Sequence, residues 1–365
     1  MAKCGSSDFD MMAHVLELAE HGLYTTKPNP RVGCIIVRDS EIVAEGWHYR
    51  SGTDHAEVVA LKEAGERARG ADVYVNLEPC SHHGQTPPCV NRLIDAGVRR
   101  VVVGTQDPNP EIAGGGIRAL QEAGIVVEVG VNADASYNLN EGFFLRMNRG
   151  TPLVRVKLAA TIDGKTASAD GGSQWISSLE SRADVHHWRA ESCAILAGIG
   201  TITSDNPRLN ARLDAEILQP LRVVIDTHCS LKPDAALFSQ EGEVLVAIGS
   251  EQASSQAQFD NRTEVISFPN ESGQVDLGAL IRELGRRGCN NVLVEAGARL
   301  AGSFAAQKLV DEYLFYFAPD LLGSGRSMFV LDDILMLQDK IPLNLYETAR
   351  IGRDLRLRLR PEIKP

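Results

Sequence analysis

Several features of membrane, secreted and nucleic-acid-binding proteins are missing from this sequence. No apolar run approaches the ~18 consecutive residues that a membrane helix needs, so no membrane partner is expected. Residues 1–22 are acidic and amphipathic, without the basic and then apolar segments of a secretory signal, so we expect a cytoplasmic protein. No polybasic run is present, and 37 basic against 48 acidic residues give a net charge of −11. Because nucleic-acid surfaces normally need a basic face, no nucleic-acid partner is expected.

Disulfide bonds are also not expected. The seven cysteines are an odd number and are spread from Cys4 to Cys289. In a reducing compartment such cysteines are thiols or metal ligands rather than bridges. Cys80 and Cys89 stand out because each follows a proline in the segment EPCSHHGQTPPC at 78–89, with two adjacent histidines between them. This segment is a candidate metal site, and an ordinary turn is the alternative.

Strand and helix patterns alternate along the chain, which predicts an α/β layered fold. In the first part, strands are predicted at 32–37, 41–48, 72–77, 99–105 and 125–130, and helices at 8–22, 55–69, 88–97 and 114–124. The pattern breaks at RMNRGTP, residues 146–152, which places a domain boundary there and predicts domains 1–148 and 149–365. Further strands are predicted at 153–161, 193–198, 221–227, 243–249, 290–297 and 311–319.

Two of the later strand patterns carry a further interpretation. The alternation of arginine and leucine in RDLRLRLR, residues 353–360, predicts a strand with one wet face. The segment DEYLFYFAP, residues 311–319, is either a core strand or an edge strand at an interface.

His55, Cys80 and Cys89 form a candidate zinc site. One imidazole and two thiolates suit tetrahedral zinc with one open position, whereas a structural site needs a fourth side chain. Glu57 follows His55 by two residues, close enough to the metal to move protons without ligating it. Together they match the H-x-E…P-C signature of zinc deaminases, in which zinc supplies hydroxide at neutral pH.

Two features leave alternatives open at this point. The second half of the signature is usually C-x-x-C, but here eight residues separate Cys80 from Cys89. A lone HAE occurs by chance on many helices, whereas the combination in this order predicts one catalytic zinc ion per chain. His82 or His83 as a fourth ligand would instead make the zinc structural.

The segments TKPNPRVGCIIV, GWHYRSGTDHAEVVAL and NLEPCSHHGQTPPC resemble the deaminase half of the bifunctional riboflavin-biosynthesis deaminase–reductase family. In that family a longer PCSHxGxTPPC segment replaces the short C-x-x-C, so the wide cysteine spacing is a family feature. The resemblance implies that Asn29, His48 and His82 contact the deaminase substrate. Judged without it, Asn29 between two prolines is a turn residue and His48 is a surface histidine.

The second domain has no G-x-G-x-x-G fingerprint after its first strand. It does contain VEAGARLAGSF at 294–304, which reads as a strand, a glycine-containing turn and a helix. Backbone amides at such a helix start can hold a phosphate. Strand–glycine–helix turns are common, so this segment alone does not identify a nucleotide site.

Further segments resemble the reductase half of the same family, whose fold is like that of dihydrofolate reductase. These segments are KLAATIDGK, SQW, TITSDNPRLNAR, VIDT and VEAG, which span most of 151–300. The resemblance implies NADPH contacts at Ala159, Trp175, Thr201, Asp205, Gly297, Ala298, Arg299, Leu300 and Gly302. It implies substrate contacts at Ser173, Arg189, Leu209, Arg212 and Glu295, to which we add the nearby Lys157. Arginine forks suit phosphate, but a surface salt bridge is the ordinary role of a single arginine, and Trp175 has the alternative of a core residue.

The sequence and the resemblance together predict an enzyme with two consecutive activities. We expect an N-terminal cytidine-deaminase-like domain of three layers and a C-terminal dihydrofolate-reductase-like domain. The first domain removes the 2-amino group of 2,5-diamino-6-ribosylamino-4(3H)-pyrimidinone 5′-phosphate. The second uses NADPH to reduce the ribosyl group, giving 5-amino-6-ribitylaminouracil 5′-phosphate. Its partners are these small pyrimidine phosphates, and we expect a homo-oligomer, either a dimer or a tetramer.

Two hypotheses from other classes compete with this prediction. The first is a nucleic-acid-editing zinc deaminase with an accessory domain, against which the acidic charge balance argues. The second is a non-catalytic nucleotide-binding protein with structural zinc.

Overall fold

A computed structural model describes residues 7–82, 87–110, 112–250, 259–331 and 336–362. The chain divides into two compact units, Met1–Gly150 and Thr151–Pro365. The division falls inside 146–152, the segment where the sequence pattern breaks. Within the described residues, no helix is both long enough and apolar enough to cross a membrane.

The first unit is built on a mixed five-stranded sheet with the order β2-β1-β3-β4-β5. Its strands are β1 Gly33–Arg38, β2 Glu41–Trp47, β3 Asp72–Leu77, β4 Arg100–Thr105 and β5 Val126–Val129. β1 pairs antiparallel with both β2 and β3, whereas β3, β4 and β5 run parallel. Parallel strands are joined by crossover connections, usually helices. Because β3 and β4 run parallel, their carboxyl ends lie at the same edge of the sheet.

Helices cover both faces of this sheet, which gives the predicted three layers. They are α1 Asp8–Glu20, α2 Ala56–Ala64, α3 Cys89–Ala96, α4 Gly115–Glu122, α5 Ala133–Leu139 and α6 Glu141–Arg149. The buried residues of α2, α3 and α4 pack with the sheet in one apolar cluster, and those of α1 pack in another. The helix predicted at 55–69 is shorter, because α2 gives way to a 3₁₀ turn at Gly65–Ala68.

The second unit contains a nine-stranded sheet with the order β11-β10-β9-β8-β12-β6-β13-β16-β15. The strands are β6 Leu153–Thr161, β8 Ala194–Gly198, β9 Leu221–Ile225, β10 Val244–Ile248, β11 Thr263–Ser267, β12 Asn291–Glu295, β13 Glu312–Ala318, β15 Leu343–Ile351 and β16 Asp354–Pro361. A two-stranded ladder joins β7 Lys165–Ala167 to β14 Arg326–Ser327. The helices are α7 Leu179–Glu191, α8 Ile199–Asp205, α9 Leu277–Arg286 and α10 Ala298–Ala306.

The seven strands from β11 to β13 run parallel. In the C-terminal hairpin, β16 pairs antiparallel with β13 on one side and with β15 on the other. Apolar clusters fill both faces of the parallel part. β8 and β12 are neighbours in the sheet, and the chain leaves β8 towards β9 on one side and β12 towards β13 on the other, so the strand order reverses between them. Ligands of open α/β sheets bind outside the carboxyl ends of the strands at such a place.

The structure decides between the two alternatives for one strand and contradicts the interpretation of another. The segment DEYLFYFAP forms β13, which lies between β6 and β16, so it is a core strand and β15 is the edge. The arginines of RDLRLRLR do not form a wet face. Arg356 and Arg358 are half-buried in ion pairs with Asp184, Glu312 and Glu347, because the sheet face they occupy is covered by α7.

Candidate active sites

The first candidate site combines the three predicted zinc ligands. His55 is the N-cap residue of α2, Cys80 follows β3, and Cys89 is the first residue of α3. His55 Nδ1 lies 3.2 Å from Cys89 Sγ and 3.6 Å from Cys80 Sγ. The three ligand atoms all lie within 4.8 Å of one another, and they form the one such metal-binding group among the described residues. The sequence-predicted ligand set is therefore assembled from three separate elements.

These distances fit a tetrahedral zinc ion. Zinc bonds of about 2.1 Å to nitrogen and 2.3 Å to sulfur, at a tetrahedral angle, place the two ligand atoms about 3.6 Å apart. The nitrogen–sulfur distances in the site are 3.2 and 3.6 Å. A set of one imidazole and two thiols leaves the fourth position open. His82 does not belong to the group, and His83 lies outside the described residues.

Glu57 is next to the ligands and is almost completely enclosed, with 3% of its surface exposed. Burial raises the pKa of its carboxyl, and the negative charge of Cys80 adds to the rise. Contact with the Cys89 thiol lowers the pKa of Cys80 to about 4, and the same contact raises the pKa of Cys89. The site thus places a thiolate and a buried carboxyl beside one imidazole. A bound cation would stabilise the ionised forms of the thiol and the carboxyl.

His48 and Asn29 also lie at this site. The His48 ring meets the His55 ring edge-on, with centroids 5.2 Å apart. Asn29 Nδ2 is 3.0 Å from His48 Nε2, and the carbonyl of Asp54 is 3.1 Å from His48 Nδ1. His48 is buried, which lowers its pKa, so the alternative of a surface histidine is wrong.

His82 lies on the loop after Cys80. Its Nδ1 atom is buried and has no hydrogen-bond partner among the described residues. A buried polar atom normally has a partner, so this nitrogen is available to a bound molecule or to the neighbouring loop. Its contact with the substrate stays a prediction.

Sequence reasoning missed the two asparagines that hold the Asn29 loop. Asn76 in β3 accepts from the Gly33 N–H at 2.9 Å and donates to the Arg31 carbonyl at 3.0 Å. Asn140 donates to the same carbonyl at 2.9 Å and accepts from the Arg31 N–H at 2.8 Å. Both asparagines are buried, and no spacing rule in a single sequence indicates such long-range partners.

Glu78 is a second functional residue that the sequence did not reveal. Its carboxylate is buried and accepts four backbone N–H groups at 2.9 to 3.2 Å. These N–H groups belong to Asp107, Gly114, Gly116 and Ile117. At Gly116 an added Cβ would lie 2.0 Å from the Pro79 carbonyl oxygen, so the start of α4 touches the chain directly before Cys80. Glu78 therefore fastens the ligand-bearing turn to α4.

We expect Glu78→Gln to weaken zinc retention. The amide replaces one acceptor oxygen by a donor that faces N–H groups, so buried donors lose their partner. Loss of a group that orients a ligand typically costs 10- to 100-fold in metal affinity, and we expect a change of about that size. Zinc release to a chromogenic chelator measures it. Glu128→Gln, at an exposed ion pair with Arg100, is the matched control. Unchanged zinc release would contradict the role.

The second candidate site lies at the carboxyl end of β12. Glu295 ends this strand and forms a two-point ion pair with Arg189 of α7, at 2.5 and 2.7 Å. Burial alone would raise the pKa of Glu295, but Arg189 and Lys157 lower it to about 2. Lys157 sits opposite Glu295 in the parallel β6–β12 ladder. Burial lowers the pKa of Lys157, Glu295 opposes that shift, and Arg189 adds to it.

Arg212 lies beside this ion pair and has no carboxylate partner within the described part of the chain. Its guanidinium is 2.6 Å from Asn210 Oδ1 and 2.9 Å from His186 Nε2. Burial and the charges of Arg189 and Arg212 lower the pKa of His186 to about 4, so the ring is neutral at pH 7. Three cationic side chains, Lys157, Arg189 and Arg212, thus face one carboxylate. His186 and Asn210 were not predicted from the sequence.

The other predicted reductase residues fall into two groups. Ala159 lies in β6, Thr201 and Asp205 lie on α8, and Gly297, Ala298, Arg299 and Leu300 form the start of α10. β6, β8 before α8, and β12 before α10 are neighbours in the sheet, so these segments emerge at the same edge. Ser173 and Trp175 lie in the loop before α7. The Trp175 ring is 69% exposed and lies under Arg182, so the alternative of a core residue is wrong.

Leu209 and Gly302 have structural roles that limit their contacts. The Leu209 side chain is 2% exposed and packs in the core with Ile195 and Ile202, so only its backbone can reach a substrate. A Cβ on Gly302 would lie 1.8 Å from the Val330 carbonyl oxygen, so this glycine allows close packing of α10. Their ligand contacts stay predictions.

Comparison with known proteins gives matches over both units. Residues 6–105 match the family described as the cytidine and deoxycytidylate deaminase zinc-binding region, and residues 152–357 match the RibD C-terminal domain. The riboflavin biosynthesis protein RibD of Escherichia coli is 44% identical over 361 residues, which is 95% of this chain and 98% of that protein.

Two solved structures of riboflavin-biosynthesis enzymes also match nearly the whole chain. Acinetobacter baumannii RibD superposes with a TM-score of 0.90 at 41% identity, covering 98% of this chain and 99% of the other. The Thermotoga maritima deaminase/reductase superposes with a TM-score of 0.86 at 32% identity, covering 97% and 98%. Both matches include residues of the first and of the second unit.

Proposed function

The chain belongs to the RibD family of bifunctional riboflavin-biosynthesis enzymes, and from that premise we propose how its two units divide the chemistry. The first unit deaminates 2,5-diamino-6-ribosylamino-4(3H)-pyrimidinone 5′-phosphate. The second reduces the ribosyl group of the product with NADPH. The observation that carries this assignment is the pairing, in one chain, of the His55–Cys80–Cys89 group beside Glu57 with the Lys157–Arg189–Glu295 group.

In the first unit, water adds to C2 of the pyrimidine and ammonia leaves. Zinc held by His55, Cys80 and Cys89 lowers the pKa of water and so supplies hydroxide at neutral pH. Glu57 takes one proton from the attacking water and gives it to the ring nitrogen, then takes the remaining hydroxyl proton and gives it to the departing amine, so that ammonia leaves and the C2 carbonyl forms. Asn29, His48 and His82 hold the ring, and His48 is itself held by Asn29 and by the Asp54 carbonyl.

In the second unit, the chain provides position and a proton. The segments at the carboxyl ends of β6, β8 and β12 would hold NADPH, which would supply a hydride to C1′ of the ribose. As the bond from C1′ to the ring oxygen breaks, Lys157 donates a proton to that oxygen. Its lowered pKa suits this task. Arg212 and the Nη1 group of Arg189 hold the phosphate, since Glu295 occupies the other two N–H groups of the Arg189 fork.

A single assay series tests the function. Metal analysis is combined with turnover of the diaminopyrimidine phosphate in the presence and absence of NADPH. We expect about one zinc per chain, ammonia release without NADPH, and NADPH oxidation only after deamination has occurred. Ammonia release from single-stranded RNA or tRNA, but not from the pyrimidine phosphate, would overturn the proposal in favour of a nucleic-acid-editing deaminase.

We further propose a cytoplasmic homo-oligomer, a dimer or a tetramer, without a nucleic-acid partner. The described cysteines are all free thiols, which suits a reducing compartment, and the net charge of −11 disfavours nucleic acid. On the edge strand β15, Leu345 is 53% exposed and Tyr346 is 43% exposed. We propose that a second copy of the chain packs against this edge. Light scattering after size-exclusion chromatography gives the mass. A single-chain mass at micromolar concentration would contradict the oligomer.

A further inference from the structure

Helix α7 presents two different charged faces. His186 and Arg189, three residues apart, face the second active site through Arg212 and Glu295. Asp184 and Trp188, four residues apart, share another face of the helix, and the indole N–H of Trp188 donates to Asp184 Oδ2 at 3.3 Å. Trp188 and Arg189 are adjacent in the chain, so any rotation of the helix about its axis moves both.

Three guanidinium groups surround the Trp188 indole. They belong to Arg155, Arg358 and Arg356, at 4.3, 4.9 and 5.5 Å from the ring centroid. Cations at this distance from an indole face are attracted by its quadrupole. Arg155 comes from β6, whereas Arg356 and Arg358 come from β16 of the C-terminal hairpin.

Three carboxylates balance these three cations. Glu312 in β13 pairs with both Arg155 and Arg358, at 2.8 and 2.9 Å. Glu347 in β15 pairs with Arg356 and Arg358, both at 2.6 Å. Asp184 of the helix accepts from Arg356 at 2.9 Å and also from the Tyr316 hydroxyl. Asp184 and Trp188 thus join the helix to β6, β13 and β16, and β15 takes part through Glu347.

The hairpin also holds the start of α7. Asp354, the first residue of β16, is buried, and its Oδ2 accepts from the Ser178 N–H at 2.7 Å. Ser178 is the N-cap residue of α7, and its hydroxyl accepts from the Ser181 N–H. The same hairpin therefore holds the helix at its N-cap residue and again at Trp188, two to three turns later.

Burying charged side chains has a desolvation penalty that can exceed the energy gained from their ion pairs. Well-packed apolar side chains of similar volume are often as stable as buried ion pairs or more so. What directional ion pairs add is a fixed geometry, because each guanidinium and carboxylate has preferred approach directions. A misplacement of about 1 Å at a positioning group can cost 10²-fold in rate, so the orientation of α7 matters to Arg189.

We propose that Trp188 is a positioning residue for the reductase. Held by Asp184 and the three arginines, it sets the rotation of α7 and thereby directs Arg189 towards the substrate phosphate. The C-terminal hairpin, for which the sequence suggested no role, supplies two of the arginines and one of the carboxylates. This inference rests on the proposed function, because it assumes that Arg189 contacts the reductase substrate.

The test compares Trp188→Leu with Trp188→Phe in the full-length protein. Leucine removes the aromatic face, whereas phenylalanine keeps a face for the arginines and loses only the N–H. We expect Trp188→Leu to raise the KM for the deaminated pyrimidine phosphate about tenfold or more, with phenylalanine restoring most of the loss. The KM for NADPH and the deaminase activity should not change. Arg287→Met, which breaks the unrelated ion pairs with Glu264 and Glu283, is the matched control.

Each outcome decides the proposal. An unchanged pyrimidine KM in Trp188→Leu, with or without a lower Tm, would overturn it and leave Trp188 as a packing residue. Equal increases in both KM values would also overturn it, since that indicates general loosening of the unit. If Trp188→Leu is insoluble, Asp184→Asn replaces it, with a smaller KM increase expected. A wild-type protein that does not reduce the pyrimidine at all would instead refute the proposed function.

Discussion

Glu57→Gln is expected to abolish ammonia release while the zinc and the reductase activity remain. Glu57 is buried beside the ligand group but is not one of the three ligands. Glutamine has the same shape and no ability to shuttle a proton between water, ring nitrogen and leaving amine. Loss of a general acid–base group typically costs 10²- to 10⁴-fold, and we expect kcat for deamination to fall by about that factor.

Three measurements on one preparation check this result. Zinc content should match that of the wild type, ammonia release should fall, and NADPH-dependent reduction of the deaminated pyrimidine should be unchanged. Glu66→Gln, an exposed residue in the turn after α2, is the control and should change none of them. Unchanged deamination in Glu57→Gln would favour a structural zinc, and loss of both activities would contradict independent units.

The sequence indicated the His55–Cys80–Cys89 group, whose members the structure brings together, because its signal is local. His55 and Glu57 lie two residues apart, and each cysteine sits at the end of a strongly patterned strand or at the start of a helix. The family resemblance explained the wide gap between Cys80 and Cys89. Most strands of both sheets were also predicted, since buried parallel strands give continuous apolar runs.

Contacts between distant segments could not be predicted from the sequence. Glu78 binds backbone groups more than 25 residues away, and a backbone N–H has no residue signature. Asn140 reaches Arg31 across 109 residues. The alternation in β16 predicts a solvent-facing side, but alternation alone does not tell which side of a sheet a helix covers, and Arg356 and Arg358 lie under α7. Such partners become visible only when the fold brings the elements together.

Lys157→Met is expected to abolish reduction while deamination continues. Lys157 lies in β6 opposite Glu295, and its ammonium is 6.0 Å from the centre of the Tyr316 ring. Methionine has a similar length, so the strand should keep its place, but no proton can reach the ribose oxygen as the ring opens. We expect kcat for reduction to fall by about 10²- to 10⁴-fold, measured by NADPH oxidation with the deaminated pyrimidine.

Lys157→Arg separates charge from proton transfer. Arginine keeps a positive charge beside Glu295 but does not release its proton at neutral pH, because its pKa exceeds about 12. If Lys157 is the proton donor, arginine should keep the pyrimidine KM near that of the wild type and still lose kcat. If the lysine acts only as a charge that binds the phosphate, arginine should restore turnover. Lys232→Met, at an exposed position of the same unit, should behave as the wild type. Full activity of Lys157→Met would show that Lys157 is not the proton donor and that reduction proceeds without this side-chain acid.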